Sequence, residues 1–314
     1  MSRAHTQSAP GIVARGCLMG AADIVPGVSG GTMALITGIY QRLLAALGNI
    51  PAAALTLVRE RSLVRAWQTT DATFLLLLLS GVLFSIVTLA HGIGTLLDEH
   101  PMLVRAFFSG LIIGAVIHVG RQVPHWSLAA ALGLGLGTVV AWGIGQLTPA
   151  TLALTPLIAF GAGFVAISAM VLPGISGSFI LLLFGLYEPI LDAIREPAVA
   201  TLAVFAAGCG LGLIAMARLV AATLARFPSV TLAVLTGFML GSLTNLWPWK
   251  RAVAWRTGSG GEAEPLLYEN LAPWDYAVLV GSAPQTGTVL VLAGVGLGLI
   301  LLVEWLGGAH GSKW

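Results

Sequence analysis

The sequence predicts an all-α polytopic membrane protein made of two inverted repeats, each a broken re-entrant helical hairpin followed by three transmembrane helices. Three observations predict it. Of 314 residues, 57% are hydrophobic and only 9% charged, whereas a soluble globule carries about a quarter charged residues. Six apolar runs, 72–97, 102–120, 126–147, 198–225, 229–249 and 276–306, reach the roughly twenty residues needed to cross hydrocarbon. A motif occurs twice at an offset of 147, as Pro26-Gly27-Val28-Ser29-Gly30-Gly31 and as Pro173-Gly174-Ile175-Ser176-Gly177-Ser178.

Taken in order, the first ten or so residues read as a short cytoplasmic tail. The apolar stretch behind them is interrupted by Asp23 and Pro26, and no small-residue cleavage site follows, so it is read as retained and not as a signal peptide. Segment 11–47 is the first broken hairpin. A break inside hydrocarbon frees backbone N–H and C=O groups, which a bilayer tolerates only where protein or a water-filled cavity surrounds them. The motif match continues from Leu35, Gly38 and Tyr40 to Leu182, Gly185 and Tyr187, and segment 152–194 is the second hairpin.

Beyond the hairpins Gly81, Pro101, Gly110 and Gly114 align with Gly208, Pro228, Gly237 and Gly241 at an offset of 127. The change of offset places a twenty-residue insertion around 48–70, where Arg59, Glu60, Arg61 and Arg65 make the segment polar or interfacial. The repeats are therefore 1–148, with spans 72–97, 102–120 and 126–147, and 149–314, with spans 198–225, 229–249 and 276–306. An even number of hairpin crossings plus three is odd, so the second repeat enters the membrane upside down. Between its last two spans lies a polar loop, 250–275, with Lys250, Arg251 and Arg256 against Glu262, Glu264, Glu269 and Asp275.

Positive charge near span ends sets orientation. Placing both termini and segment 48–70 in the cytoplasm puts Arg3, Arg15, Arg42, Arg59, Arg61, Arg65, Arg121, Arg226 and Lys313 inside, with Asp98, Glu99 and the 250–275 loop outside. Trp247, Trp249, Trp255, Trp274 and Tyr276 read as interfacial anchors. The net charge of +2 is small and its residues scattered, which excludes a nucleic-acid footprint. Cys17 and Cys209 have no metal or disulfide spacing and read as buried small hydrophobes. No metal site, P-loop or other cofactor motif is present, and a homodimer is left open.

Ser29, Gly30, Gly31 and Thr32, and Ser176, Gly177 and Ser178, place hydroxyls and glycines just before an apolar helical run, an N-cap pattern. Free N–H groups there suit phosphate or carboxylate. Matched breaks in two halves are the sequence pointer to a transporter's binding site; the alternative is that Pro-Gly-x-Ser-Gly only lets helices bend and pack. Ionisable residues within membrane sequence face a cavity or a partner. Asp23, Glu188 and Asp192 are candidates for proton coupling, and Arg42 and Arg218 for a positive charge beside an anion. Glu188, Asp192, Arg42 and Arg195 have the competing reading of hairpin ends in the headgroup region. Arg218, matched in the first repeat by His91, and Arg105 near the outer surface could each meet a lipid phosphate or snorkel to the interface. His118 reads as an interfacial residue.

Gly27-Val28-Ser29-Gly30-Gly31 also fits the nucleophile pattern G-x-S-x-G. Catalysis is disfavoured, because the serine loop is duplicated while His91 is matched by Arg218.

The run Ala22-Asp23-Ile24-Val25-Pro26-Gly27-Val28-Ser29-Gly30-Gly31-Thr32 with Gly38-Ile39-Tyr40, and Pro173-Gly174-Ile175-Ser176-Gly177-Ser178 with Gly185-Leu186-Tyr187, resembles the PopT-type family of bacterial polyprenyl-phosphate transporters over nearly the whole chain. The resemblance implies a translocase of the cytoplasmic (inner) membrane that moves undecaprenyl phosphate from the outer to the inner leaflet, recycling the lipid carrier of cell-wall glycan assembly. It implies a polyprenyl-phosphate lipid as partner and a non-enzymatic role. The residues alone reach an anion site between repeats, which leaves a transporter of a small soluble anion, and more remotely an intramembrane serine hydrolase, as alternatives.

Overall fold

The structure, a computed structural model, describes residues 8–25, 28–148, 150, 152–257 and 263–308. Pro26 and Gly27 of the first motif, the N-terminal tail with Arg3, Glu262 and Lys313 lie outside the described residues. The chain is helical almost throughout. Helices α1 (Ala9–Ile24), α2 (Gly30–Ile36) and α3 (Tyr40–Gly48) form the first hairpin region; α9 (Pro156–Val171), α10 (Gly177–Leu183) and α11 (Tyr187–Arg195) form the second. Each region is thus one long arm and two short helices, three pieces in place of a simple two-piece hairpin. α10 and α11 meet at a bend of 106°.

Among the described residues, six helices are long and apolar enough to cross a membrane. They are α6 (Ala72–Glu99), α7 (Pro101–Arg121), α8 (Leu128–Gln146), α12 (Val199–Arg226), α13 (Pro228–Ser242, extended by a 3-10 turn to Leu246) and α15 (Thr286–Gly308). The polar insertion folds as α4 (Ile50–Glu60) and α5 (Leu63–Thr69). Two expectations need correction. The 250–275 segment is not an irregular loop, because β1 (Lys250–Thr257) and β2 (Ala263–Asn270) pair as an antiparallel hairpin followed by α14 (Pro273–Val280). Strands are stable here because the hairpin sits beyond the spans, where water can satisfy its open edges. The apolar run 276–306 is also broken: Gly281 turns left-handed at φ 71° and ends α14 before α15 begins.

Glycine decides the packing. The dominant helix pairs are α1 with α6, α9 with α12, α8 with α13 and α7 with α15. A methyl group at Gly16, Gly81, Gly163, Gly208, Gly212, Gly137, Gly237, Gly241, Gly110 or Gly296 would run into a carbonyl of the facing helix. Hydrocarbon gives little drive to bring apolar helices together, so close backbone approach and dispersion must do it. The contacts advance in step along both members of each pair, so all four pairs run parallel. α7 runs antiparallel to α13, since Ser109 donates to the Leu246 carbonyl at 2.7 Å while Gly120 lies by Thr236. Outward faces carry Leu79, Leu83 and Val87 of α6 and Leu132, Leu136 and Val139 of α8, all exposed as lipid contact requires. The core collects around α2, all seven of whose residues are buried, with Tyr40, Leu44, Phe74, Ile112 and Met239.

Candidate functional site

Each motif opens a short helix, but only the first caps it with a side chain, since Ser176 makes no cap bond to α10. Ser29 is the N-cap of α2 and accepts from the Gly31 amide at 3.2 Å. Gly38 and Gly185 take positive φ, 71° and 66°, at the ends of α2 and α10. There the Ile39 amide reaches back to the Ala34 carbonyl and the Leu186 amide to Leu181, the 6→1 bond of a Schellman ending, which glycine permits at low strain. The turn then starts α3 with Tyr40 and α11 with Tyr187.

The two copies differ in what they face. The first is closed onto the second. Ser29 donates to the Met170 carbonyl at 3.2 Å, Thr32 accepts from the Gly174 amide at 3.0 Å, and the Tyr40 hydroxyl donates to the Val171 carbonyl at 3.0 Å. Gly30 donates its amide to Asp23 Oδ1 at 2.7 Å. Ser29, Gly30, Gly31 and Thr32 are therefore buried and already satisfied, and the structure does not open them to a ligand. Gly174, at φ 83° and pressed against Phe238 and Met239 of α13, has no room for a side chain.

The second copy is open. Ser178 is exposed, Ser176 is half-buried, and their hydroxyls are 2.9 Å apart; Gly177 is buried against the Ala166 carbonyl. Ser178 lines a cavity of about 400 Å³ with Asp23 and Tyr187 as its other polar groups and Ile24, Ile86, Phe179 and Leu182 as its apolar wall. Ser176 faces a separate, water-sized pocket beside Asn245. The cavity thus gathers α1, α6, α10 and α11 around one carboxyl and two hydroxyls. At the repeat offset Asp23 is matched by Met170, so the acid belongs to one half alone.

The other candidate charges lie elsewhere. Arg42 pairs with Asp71 at 2.6 Å and stacks on Phe74. Arg218 donates to the Gly48 carbonyl at 2.7 Å, fastening α12 to the end of α3. Neither lines the cavity. Asp192 pairs with Arg195 at 3.4 Å and is 64% exposed, as a headgroup residue would be. Glu188 follows Tyr187 in the first turn of α11. Cys17 and Cys209 are free and only partly buried. His118 and Arg121 face Glu304 at 3.5 and 3.6 Å, tying α7 to α15. The partners that Ser29 finds are backbone groups. Sequence reasoning missed Phe179, Ile86 and the 170–174 carbonyl and amide acceptors and donors, since no residue type advertises them.

Comparison with known proteins follows the same lines. The family described as undecaprenyl phosphate translocase-like matches residues 19–264. The chain belongs to this family. A polyprenyl-phosphate transporter of Vibrio cholerae serotype O1 is 42% identical over 290 residues, 92% of this chain and 94% of that protein. A polyprenyl-phosphate transporter of Staphylococcus aureus is 34% identical over 255 residues, 75% of this chain and 85% of that one. No solved structure matches. The translocase-like match runs from α1 into β2 and so holds both motifs and every cavity-lining residue.

Proposed function

We propose that this protein moves undecaprenyl phosphate from the outer to the inner leaflet of a bacterial cytoplasmic membrane, with both termini in the cytoplasm. The observation that carries the reading is the cavity: three polar groups, Asp23, Ser178 and Tyr187, beside an apolar wall of Ile24, Ile86, Phe179 and Leu182. That division suits a phosphate joined to a prenyl tail, and it gives a small soluble anion no use for the apolar wall. Relatives named polyprenyl-phosphate transporters support the substrate class.

The phosphate rests against Ser178 and Tyr187, with Ser176 hydrogen-bonded to Ser178 from the neighbouring pocket and Gly177 letting α10 pack close behind them. The seven lining residues include a carboxyl and no cation. Two negative charges in one low-dielectric space repel strongly, so one must hold a proton. Asp23 is the group that carries it, and phosphate and proton travel together. Glu188, next to cavity-lining Tyr187, and the exposed Asp192 one turn on hand protons to and from the route.

The two halves are inverted repeats, a reading supported by the antiparallel run of α7 and α13. Alternating access exchanges their states. Here the first loop is locked onto the second by Ser29, Thr32 and Tyr40; in the opposite state the second loop locks and Ser29, Gly30, Gly31 and Thr32 face the lipid phosphate. Arg42 and Arg218 then act as fasteners of α3, holding the hinge side of the first half.

The test is leaflet exchange of labelled undecaprenyl phosphate in proteoliposomes under imposed pH gradients. Exchange should rise when the gradient drives protons along with the lipid, fall at least tenfold in Asp23→Asn and Ser178→Ala, and leave undecaprenol untouched. Exchange indifferent to both the gradient and Asp23→Asn would remove the proton step, and no exchange at all, with uptake of a soluble phosphate ester instead, would move the substrate to a small anion.

A further inference from the structure

Outside the cavity, one cluster of charge is left unexplained. The hairpin's first three rungs pair Lys250 with Asn270, Arg251 with Glu269 and Ala252 with Tyr268. Side chains alternate across a sheet, so Arg251 and Glu269 share one face, where they form an ion pair at 2.6 Å. Lys250 and Tyr268 share the other, which is turned towards α7. There Arg105 approaches the Tyr268 ring at 5.0 Å from its centroid and the Lys250 ammonium approaches the same ring at 5.8 Å. Two cations thus lie about one aromatic ring, and among the described residues no carboxylate pairs with either.

The arrangement is held rigidly. Trp249 is buried against Met102 and Ala106 of α7 and Val289 of α15, and its indole donates to the Pro284 carbonyl at 2.8 Å. Trp247 donates to the Leu271 carbonyl at 2.7 Å, and Asn270 to the Thr244 carbonyl at 2.9 Å. Two like charges held about one ring by this scaffolding repel each other, and an anion beside them would offset the repulsion. Burial, with Arg105 beside it, pulls the Lys250 ammonium down to about 8.

We propose that Arg105 and Lys250, framed by Tyr268, form a phosphate-monoester site at the membrane surface, where a lipid headgroup is held before it reaches the cavity. A guanidinium offers a planar fork to two phosphate oxygens and an ammonium a point charge to the third. Arg105 lies one turn into α7, near the end of a candidate span, where a long cationic side chain can reach the interface. The choice of ligand rests on the transport reading above; the convergence of cations does not.

The experiment separates the two. Native mass spectrometry counts undecaprenyl phosphate and undecaprenol bound to the full chain, and equilibrium dialysis measures inorganic phosphate, for the wild type, R105Q, K250Q, K250R and R251Q. R105Q and K250Q should each lose one bound phosphate lipid per protein. Undecaprenol binding should be unchanged, K250R should retain the site, and R251Q, on the neutralised face, should match the wild type. Loss of inorganic phosphate in the same variants assigns the site to the phosphate group itself; loss of the lipid alone assigns it to a headgroup held in the bilayer. Unchanged lipid-phosphate counts in both glutamine variants would overturn the site, as would equal loss of undecaprenol. A wild type that binds here yet fails to exchange lipid between leaflets would refute only the transport reading.

Discussion

Thr32 and Ser178 show how a motif can hold the same residue types and do opposite work. Thr32 is fully buried and satisfies the Gly174 amide, so Thr32→Val leaves that amide without a partner, a cost of about 1–3 kcal/mol. The melting temperature in detergent should fall accordingly, whereas Ser178→Ala, at an exposed position, should leave melting unchanged and impair only transport. Lys250 gives a pH prediction at the same scale. The groups facing it are Arg105 from α7 and Tyr268 from β2, with Tyr276 of α14 acting on Arg105. In the folded chain Lys250 releases its proton at about 8, and the unfolded chain holds it to higher pH. Between those values the unfolded state binds more protons, so stability rises with pH. Capture of phosphate needs the ammonium and runs the other way: binding should decline as pH is raised past 8 in the wild type and hold in K250R, read by titrating lipid-phosphate binding from pH 7 to 9.5.

At the scale of elements, paired helices are decided by which glycines face inward. Gly208 abuts the Phe160 carbonyl of α9, while Gly210, two residues on, has open space around it. Gly208→Ala must push α12 from α9 and should cost about 1–3 kcal/mol; Gly210→Ala should be neutral or gain up to about 1 kcal/mol from helix propensity. Thermal melts of the two variants would check the contrast, and equal effects would mean that the crossing is looser than described. Gly38 and Gly185 are a different case, because their positive φ is required by the Schellman endings that aim Tyr40 and Tyr187. Alanine at either should destabilise by about 1 kcal/mol, and at Gly185 it should also disturb transport, since Tyr187 lines the cavity.

On the scale of the whole molecule, α6 and α10 both line the cavity, through Ile86 and Leu182. If the halves rock around the site, bridging these two helices should trap one state. In a Cys17→Ala/Cys209→Ala background, Ile86→Cys/Leu182→Cys treated with a short bis-maleimide should retain its fold and lose lipid exchange, with recovery if a cleavable linker is cut. Exchange at the uncross-linked rate in fully bridged protein would show that the lipid takes another path. The interlock of Ser29, Thr32 and Tyr40 with residues 170–174 is the other half of this argument, since it joins residues 131 to 142 apart in sequence and would have to open if the proposed second state is to form.

The sequence by itself determined the membrane class, the six long apolar helices and the family, because hydrophobic run length and a duplicated motif are local properties. It also determined which glycines matter: Gly81, Gly110, Gly208, Gly237 and Gly241, aligned between halves, all face a neighbouring backbone. Periodicity could not see that the charged segment 250–275 pairs as strands, for a hairpin without a lipid-facing stripe leaves no hydropathy signal. Only the tertiary structure decided the roles of equivalent residues. Ser29 and Ser176, Tyr40 and Tyr187 read alike, yet one loop is buried on the other while its partner faces a cavity. That asymmetry follows from the residues that differ, because Asp23 and Thr32, which bind the Gly30 and Gly174 amides, are replaced in the second half by Met170 and Phe179, which can bind neither.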